Sequence, residues 1–238
     1  TKQTSWRMIS FFSRLIDLIA PRCCAICGCR LSITEQTLCS SCDRHIPRTW
    51  YERSPYENMM NRLYWKQIPI EKASALFFYS AQAPVSKAIY DLKYHHCPEI
   101  GVSLGEIVAR EFSHEDFFEG IDMIIPVPLT KKRQHHRGYN QSMMIAKGIS
   151  NVTGIKINNN IVKRTLFRES QTHKDVIDRK ENVKDAFRII NTKAIANRHI
   201  LLVDDIVTTG ATTIACSQQL MKAEGIKISI VSLGFVKP

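Results

Sequence analysis

The chain has 238 residues, 44% of them hydrophobic and 23% charged, which describes a soluble globular protein able to bury a substantial core in one large or two smaller domains. Its formal net charge of +11 is unevenly placed: residues 129 to 199 hold 16 of the 33 Lys+Arg and 5 of the 22 Asp+Glu, leaving 17 of each elsewhere. Clustering of this kind points to a polyanionic ligand, either pyrophosphate or nucleic acid, or at its plainest to a solvated basic face.

In the first twenty residues Trp6, Ile9, Phe12, Leu15, Ile16 and Ile19 are interrupted by Arg7, Arg14 and Asp17. The charges argue against a transmembrane segment or a signal peptide and for an amphipathic helix packed on the protein, so a cytoplasmic location is expected. Cysteine dominates the stretch that follows, with Cys23, Cys24, Cys27, Cys29, Cys39 and Cys42. Cys24/Cys27 and Cys39/Cys42 are Cys-x-x-Cys pairs separated by eleven residues. A two-residue spacer turns two thiolates toward one metal, and two such pairs complete a tetrahedral structural zinc site with no position open to substrate. Cys23 is the alternative to Cys24 as ligand. Disulfides are the competing reading, and the lack of a secretion signal disfavours them.

Residues 48 to 72 interleave Trp50, Tyr51, Tyr56, Tyr64 and Trp65 with Arg62. Such a stretch could stack on bases, but is more often packing, and a linker around the zinc site is expected. The pattern then predicts a strand over 73–79, a helix over 83–94, a helix over 100–112 and a strand over 121–127 ended by Pro126 and Pro128. Lys93 is placed to reach a phosphate. Residues 129 to 141 form a basic loop opening a helix that runs to about Ile149. There Arg137 can grip a phosphate with two donors and Gly138 lets the backbone come close.

A strand is expected over 155–161. From Arg164 to Val183 the chain is long, polar and poor in apolar periodicity, as in a lid or a disordered segment, and its Arg, Gln, Thr and Lys residues suit closure over a charged substrate. Strands are expected over 185–190 and 226–235, with a helix over 211–224 closed by Gly225. Between them, Ile200 to Val203 is apolar enough for a strand buried on both faces, and it stops at Asp204 and Asp205. Thr208, Thr209, Gly210, Ala211 and Thr212 then supply hydroxyls, a flexible turn and a helix N-terminus, which can cradle a phosphate. Two carboxylates beside a phosphate cradle suit a sugar phosphate.

His199 to Thr212 closely resembles the phosphoribosyl pyrophosphate (PRPP) signature of type I phosphoribosyltransferases. The wider set resembles the ComF family, whose relatives are associated with uptake of transforming DNA in naturally competent bacteria. It comprises the cysteine pairs, Leu92-Lys93-Tyr94, Pro126 to Leu129, Arg137 to Gln141, Gln171-Thr172, Arg179, Asn182-Val183 and Val203 to Thr212. The resemblance implies a parallel sheet flanked by helices over 73–238, with a helix and zinc ribbon over 1–72. It implies ribose hydroxyls on Asp204 and Asp205, the 5-phosphate on Thr208 to Thr212, pyrophosphate at Arg137-Gly138 and a flexible loop over 164–183. In that loop His173-Lys174-Asp175 stand where the family commonly has Leu. Two functions follow: a PRPP-binding fold that handles single-stranded DNA with the competence machinery, or a Mg²⁺-dependent transferase from PRPP to an unidentified nitrogen acceptor.

Overall fold

A computed structural model describes residues 21–165 and 186–237; the expected N-terminal helix and the lid segment containing Gln171, Thr172, Arg179, Asn182 and Val183 lie outside the described residues. Four parallel strands form the sheet: β1 (Ala73–Phe78), β2 (Met123–Pro126), β5 (His199–Val207) and β6 (Lys227–Phe235), in the order β1-β6-β5-β2. Register aligns Ile125 with Leu202, Leu202 with Ile230, and Ile230 with Ala73.

Because side chains alternate along a strand, the apolar run of β5 feeds two cores. Leu201 and Val203 join one with Phe77, Val231 and Leu233, while Ile200 and Leu202 join the other with Ala75, Ile125 and Ile230. A parallel sheet covered on both faces needs apolar residues at successive positions, which is why β5 reads as a continuous hydrophobic run. The first face is covered by α3 (Ser86–Tyr94), α4 (Pro98–Ser113) and α6 (Gln141–Thr153), and also by Cys24, Leu31, Leu38 and Cys39 of the cysteine module. Over the second lie Met60, Tyr64 and Ile68, α7 (Ala211–Leu220), and the antiparallel pair β3 (Val162–Arg164) and β4 (Phe187–Ile189).

Four expectations are corrected. Residues 49–68 pack on the sheet: Thr49 donates its N–H to Leu76 O, and α2 (Met59–Arg62), capped by Asn58, brings Met60 and Tyr64 into the second core. Residues 155–161 contribute a single bridge, Ile157 to Ile124, and the strand forms later at Val162. The basic loop is a helix, α5 (Lys131–Arg137), because Thr130 caps it and Gly138 ends it in the left-handed conformation. Finally, α7 stops at Leu220, and Gly225 turns past Asn197, whose side chain occupies the space a Cβ would need.

Helices α4 and α6 cross at glycines. A Cβ on Gly105 would overlap Ile145 O, and one on Gly148 would overlap Val102 O. Gly105→Ala is expected to destabilise the fold by about 2–3 kcal/mol, because backbone and not a flexible side chain must move. Urea unfolding with an unchanged midpoint would show that the helices separate freely.

Candidate functional site

The C-terminal end of β5 carries the site. Asp204 keeps some exposed surface, but protein packs densely around its carboxyl group. Its Oδ1 accepts from Ser142 Oγ at 3.1 Å and from the Asp205 backbone N–H at 2.9 Å. Desolvation, and then the neighbouring Asp205 charge, push its pKa from 3.8 up to about 7, against the pull of those donors and of Lys93. Asp205 accepts from the Ile206 N–H at 2.6 Å and pairs with Lys93 Nζ at 3.0 Å.

Beyond β5 the chain folds around a small cavity of about 50 Å³, lined by Asp204 and Ile206 to Thr213. Gly210 occupies the left-handed region at φ 74° and stands at the N-cap of α7 without a side-chain cap, so the first turn directs backbone N–H groups outward. The turn is held from behind. Thr213 donates its hydroxyl to Gly210 O at 2.9 Å, and the fully buried Tyr64 hydroxyl lies 3.0 Å from Thr213 Oγ1. Burial pushes the Tyr64 phenol up, which keeps it a donor. Hydroxyls, N–H groups and a helix N-terminus beside two carboxylates can hold the phosphate and diol ends of one small sugar phosphate.

On the facing rim, Arg137 donates to Gln141 Oε1 at 2.8 Å and lies 5.4 Å over the Tyr94 ring. Gly138, at φ 77°, closes against His96, with Nδ1 3.1 Å from where a Cβ would stand. The next residues anchor the rim: Tyr139 Oη donates to Leu92 O at 2.6 Å, Asn140 Nδ2 donates to Val127 O at 2.9 Å, and Asn140 caps α6. The structure thus gathers Asp204, Asp205, Thr208 to Thr212 and Lys93 about the end of β5, with Arg137 and Gly138 set against Tyr94 and His96 at the C-terminal end of α3.

Sequence reasoning passed over Ser142 and Thr213, and took Tyr64 for a packing or base-stacking aromatic and not for the support of this turn. Ser142 sits two residues after a helix-capping Asn, a position that could have flagged it. Tyr64 offered no local signal, since its partner is 149 positions away.

Away from the sheet end, the sulfurs of Cys24, Cys27, Cys39 and Cys42 lie within 4.8 Å of one another and could hold a metal ion. Cys23 lies outside this group, paired with Arg30 in an isolated bridge. Cys29 lies beside it, its sulfur 3.2 Å from that of Cys27. Several thiols of the group receive backbone N–H donors, as from Cys39 N to Cys24 Sγ and from Cys42 N to Cys39 Sγ, both at 3.4 Å. Those donors hold Cys24, Cys27 and Cys39 below the ordinary thiol range, in Cys24 against the opposing effect of burial. Burial instead pushes the fourth thiol, Cys42, up; four soft sulfurs within reach of one another fit a divalent metal.

A parallel sheet covered on both faces, ending in paired carboxylates and a hydroxyl-lined anion turn, defines a phosphoribosyltransferase-like α/β protein with an added four-cysteine module. No family model matches the chain. Among curated proteins it is 31% identical over 202 residues to the DNA utilization protein YhgH of Escherichia coli O6:H1, covering 84% of each chain. It is 29% identical over 209 residues to competence protein F of Haemophilus influenzae, covering 84% of this chain and 90% of that one. Competence protein ComFC of Bacillus subtilis is 26% identical over 118 residues. The chain belongs to the ComF family. Solved structures similar to it include a hypoxanthine phosphoribosyltransferase from Staphylococcus aureus, with a TM-score of 0.35 and 14% identity over 57% of this chain and 62% of that one. Another is an adenine phosphoribosyltransferase from Leishmania tarentolae, with a TM-score of 0.34 and 13% identity over 75% and 88%. Among the described residues no helix is long and apolar enough to cross a membrane.

The raised Asp204 pKa has a stability signature. Between 3.8 and about 7 the folded chain keeps a proton that the unfolded chain has released, so stability falls as pH rises through that window. Asp204→Asn is expected to remove that decline, read as urea midpoints on either side of the window. A decline that survives in the variant would assign it to another group.

Proposed function

We propose that the chain binds PRPP at the end of β5 and acts in the cytoplasm in the uptake and handling of single-stranded transforming DNA. The observation that carries the PRPP reading is the pairing of Asp204 and Asp205 with a phosphate-sized cavity and an uncapped helix N-terminus. In this reading Asp204 and Asp205 take the ribose hydroxyls and Thr208, Thr209, Gly210, Ala211 and Thr212 take the 5-phosphate. Lys93, Arg137 and Gly138 form the pyrophosphate side, and Mg²⁺ arriving with PRPP supplies charge that balances the pyrophosphate against the carboxylates. The DNA reading is supported by the basic excess in residues 129 to 199 and by the names of the relatives, which describe DNA utilization and competence.

The four-cysteine group, in the same proposal, holds a structural zinc ion. Four sulfur donors leave it no open position, and binding would contribute to folding on the order of 10 kcal/mol. The metal module would form part of residues 1–72 and the PRPP site part of 73–238.

The second reading is catalysis, favoured by Lys93 standing 3.0 Å from Asp205, where cationic and anionic halves of a PRPP site meet. An incoming nitrogen would form its bond to the anomeric carbon as the carbon–oxygen bond to pyrophosphate breaks. Arg137 and Lys93 would stabilise the departing charge.

Calorimetry with PRPP and Mg²⁺ is expected to show binding that disappears in Asp204→Ala/Asp205→Ala; retained affinity would overturn the sugar-phosphate site. Pyrophosphate release on adding a nitrogen acceptor would support the transferase reading. Metal analysis is expected to find one zinc per chain, lost with a lower melting temperature in Cys39→Ser. A metal-free wild type with its thiols oxidised in pairs would overturn the zinc assignment.

A further inference from the structure

The aromatic residues that the sequence offered as base-stacking candidates, 50 to 65, are mostly committed elsewhere. Tyr51 packs edge-on against Phe78, with centroids 5.6 Å apart, and Tyr64 is buried behind the phosphate turn. Trp50 and Trp65 are exposed and, like Tyr94 under Arg137, each has an arginine over its ring, Arg53 at 4.4 Å and Arg62 at 5.7 Å, but among the described residues neither lies against a second aromatic ring.

A different pair stands on the rim of the site. Tyr90 and Tyr94, 54% and 48% exposed, are one helical turn apart on α3, with ring centroids 4.9 Å apart. Beside them runs a groove of about 440 Å³ whose wall includes Tyr79, Ser86, Lys87 and Lys93. Arg137, the last residue of α5, lies over Tyr94 and joins this surface to a helix that also carries Lys131, Lys132, Arg133, His135 and His136, all exposed. No carboxylate among the described residues forms an ion pair with Lys131, Lys132 or Arg133. Two aromatic side chains half in water thus stand beside the exposed cations of α5, and since Lys87 and Lys93 are paired with Asp91 and Asp205, the anion preference of this surface comes from α5.

Resting on the single-stranded DNA reading above, we propose that Tyr90 and Tyr94 are its stacking platform, with α5 gripping the phosphates. Bases offer flat π-faces to the tyrosines, and each base stacked on an aromatic side chain contributes about 1–3 kcal/mol whatever its identity. Phosphates on the same strand displace counterions from Lys131, Lys132 and Arg133. A duplex hides its base faces in its own stack, so the platform selects single strands. The arrangement also sets the strand beside the sugar-phosphate site, because Lys93 lies between the two tyrosines in sequence and pairs with Asp205.

Fluorescence anisotropy with a labelled oligothymidylate tests this on the full chain. Tyr90→Ala/Tyr94→Ala is expected to weaken binding at least tenfold, while Tyr90→Phe/Tyr94→Phe, which keeps both rings, binds like the wild type. Lys131→Gln/Lys132→Gln is expected to flatten the dependence of log affinity on log salt by about 0.7 for each phosphate no longer neutralised. Trp50→Ala/Trp65→Ala is expected to change neither. Wild-type affinity in the double alanine variant, or a loss confined to the tryptophan variant, would overturn the platform and leave the DNA reading standing. No binding by the wild type at low salt would overturn the DNA reading itself. PRPP affinity retained in Tyr90→Ala shows that a loss of DNA binding is local.

Discussion

The architecture depends on holding a carboxylate at the dry end of a buried strand. Asp204 continues β5 directly from Val203, which is fully buried, so its carboxyl group emerges where packing is still dense. Isolated there, the charge would be expensive, and the neighbouring Asp205 raises the cost. What offsets it comes from other parts of the chain: the Ser142 hydroxyl from the start of α6 and, at Asp205, the Lys93 ammonium from the end of α3. Each donor is carried by an element with its own anchor. Tyr139 and Gln141 reach Leu92 O, fixing the end of α3 against the start of α6. The polar rim is therefore built from helix termini locked to one another, and the signature strand supplies the group they are arranged around.

The cysteine module is tied to this frame by more than chain continuity. Arg48 donates to both carboxylate oxygens of Glu111 on α4, with Nη2 at 2.6 Å from Oε1, and to Asp43 of the module at 2.8 Å. Burial works against the guanidinium charge, and the two carboxylates more than compensate, leaving its pKa raised. A pair this desolvated costs much when one partner is lost, so it acts as a registration device between module and sheet. Apolar contact runs the same way, since Cys24 and Cys39 share a core with Phe77 and Leu104. Folding energy from a metal held by the module would therefore be felt by the helices that carry the rim.

What the sequence made legible was chemistry encoded in adjacent residues. Asp204-Asp205 and the Thr208 to Thr212 turn lie in one contiguous stretch, and the Cys-x-x-Cys spacing forces two sulfurs together whatever surrounds them. Features that depended on distant partners were hidden. Residues 131–137 read as a loop because a run of lysine, arginine, histidine and glutamine shows no apolar stripe; the helix exists through the Thr130 cap and the left-handed Gly138. Pairing of Val162–Arg164 with Phe187–Ile189 joins two short strands too brief to show a period. The Tyr64 to Thr213 hydrogen bond and the exposure of Tyr90 and Tyr94 are properties of packing, whereas composition alone points to the aromatics of residues 50–65, several of which packing commits elsewhere.

Lys93 would couple the two ends of the proposed ligand. Its ammonium neutralises Asp205, and burial with that neighbouring carboxylate holds Asp204 up at about 7. In the proposed PRPP site, an anion beside Lys93 would compete for that ammonium and shift the balance of charge at the carboxylates toward whatever cation or hydroxyl donor accompanies it. Anionic and diol ends of a ligand would then be favoured together more than either alone.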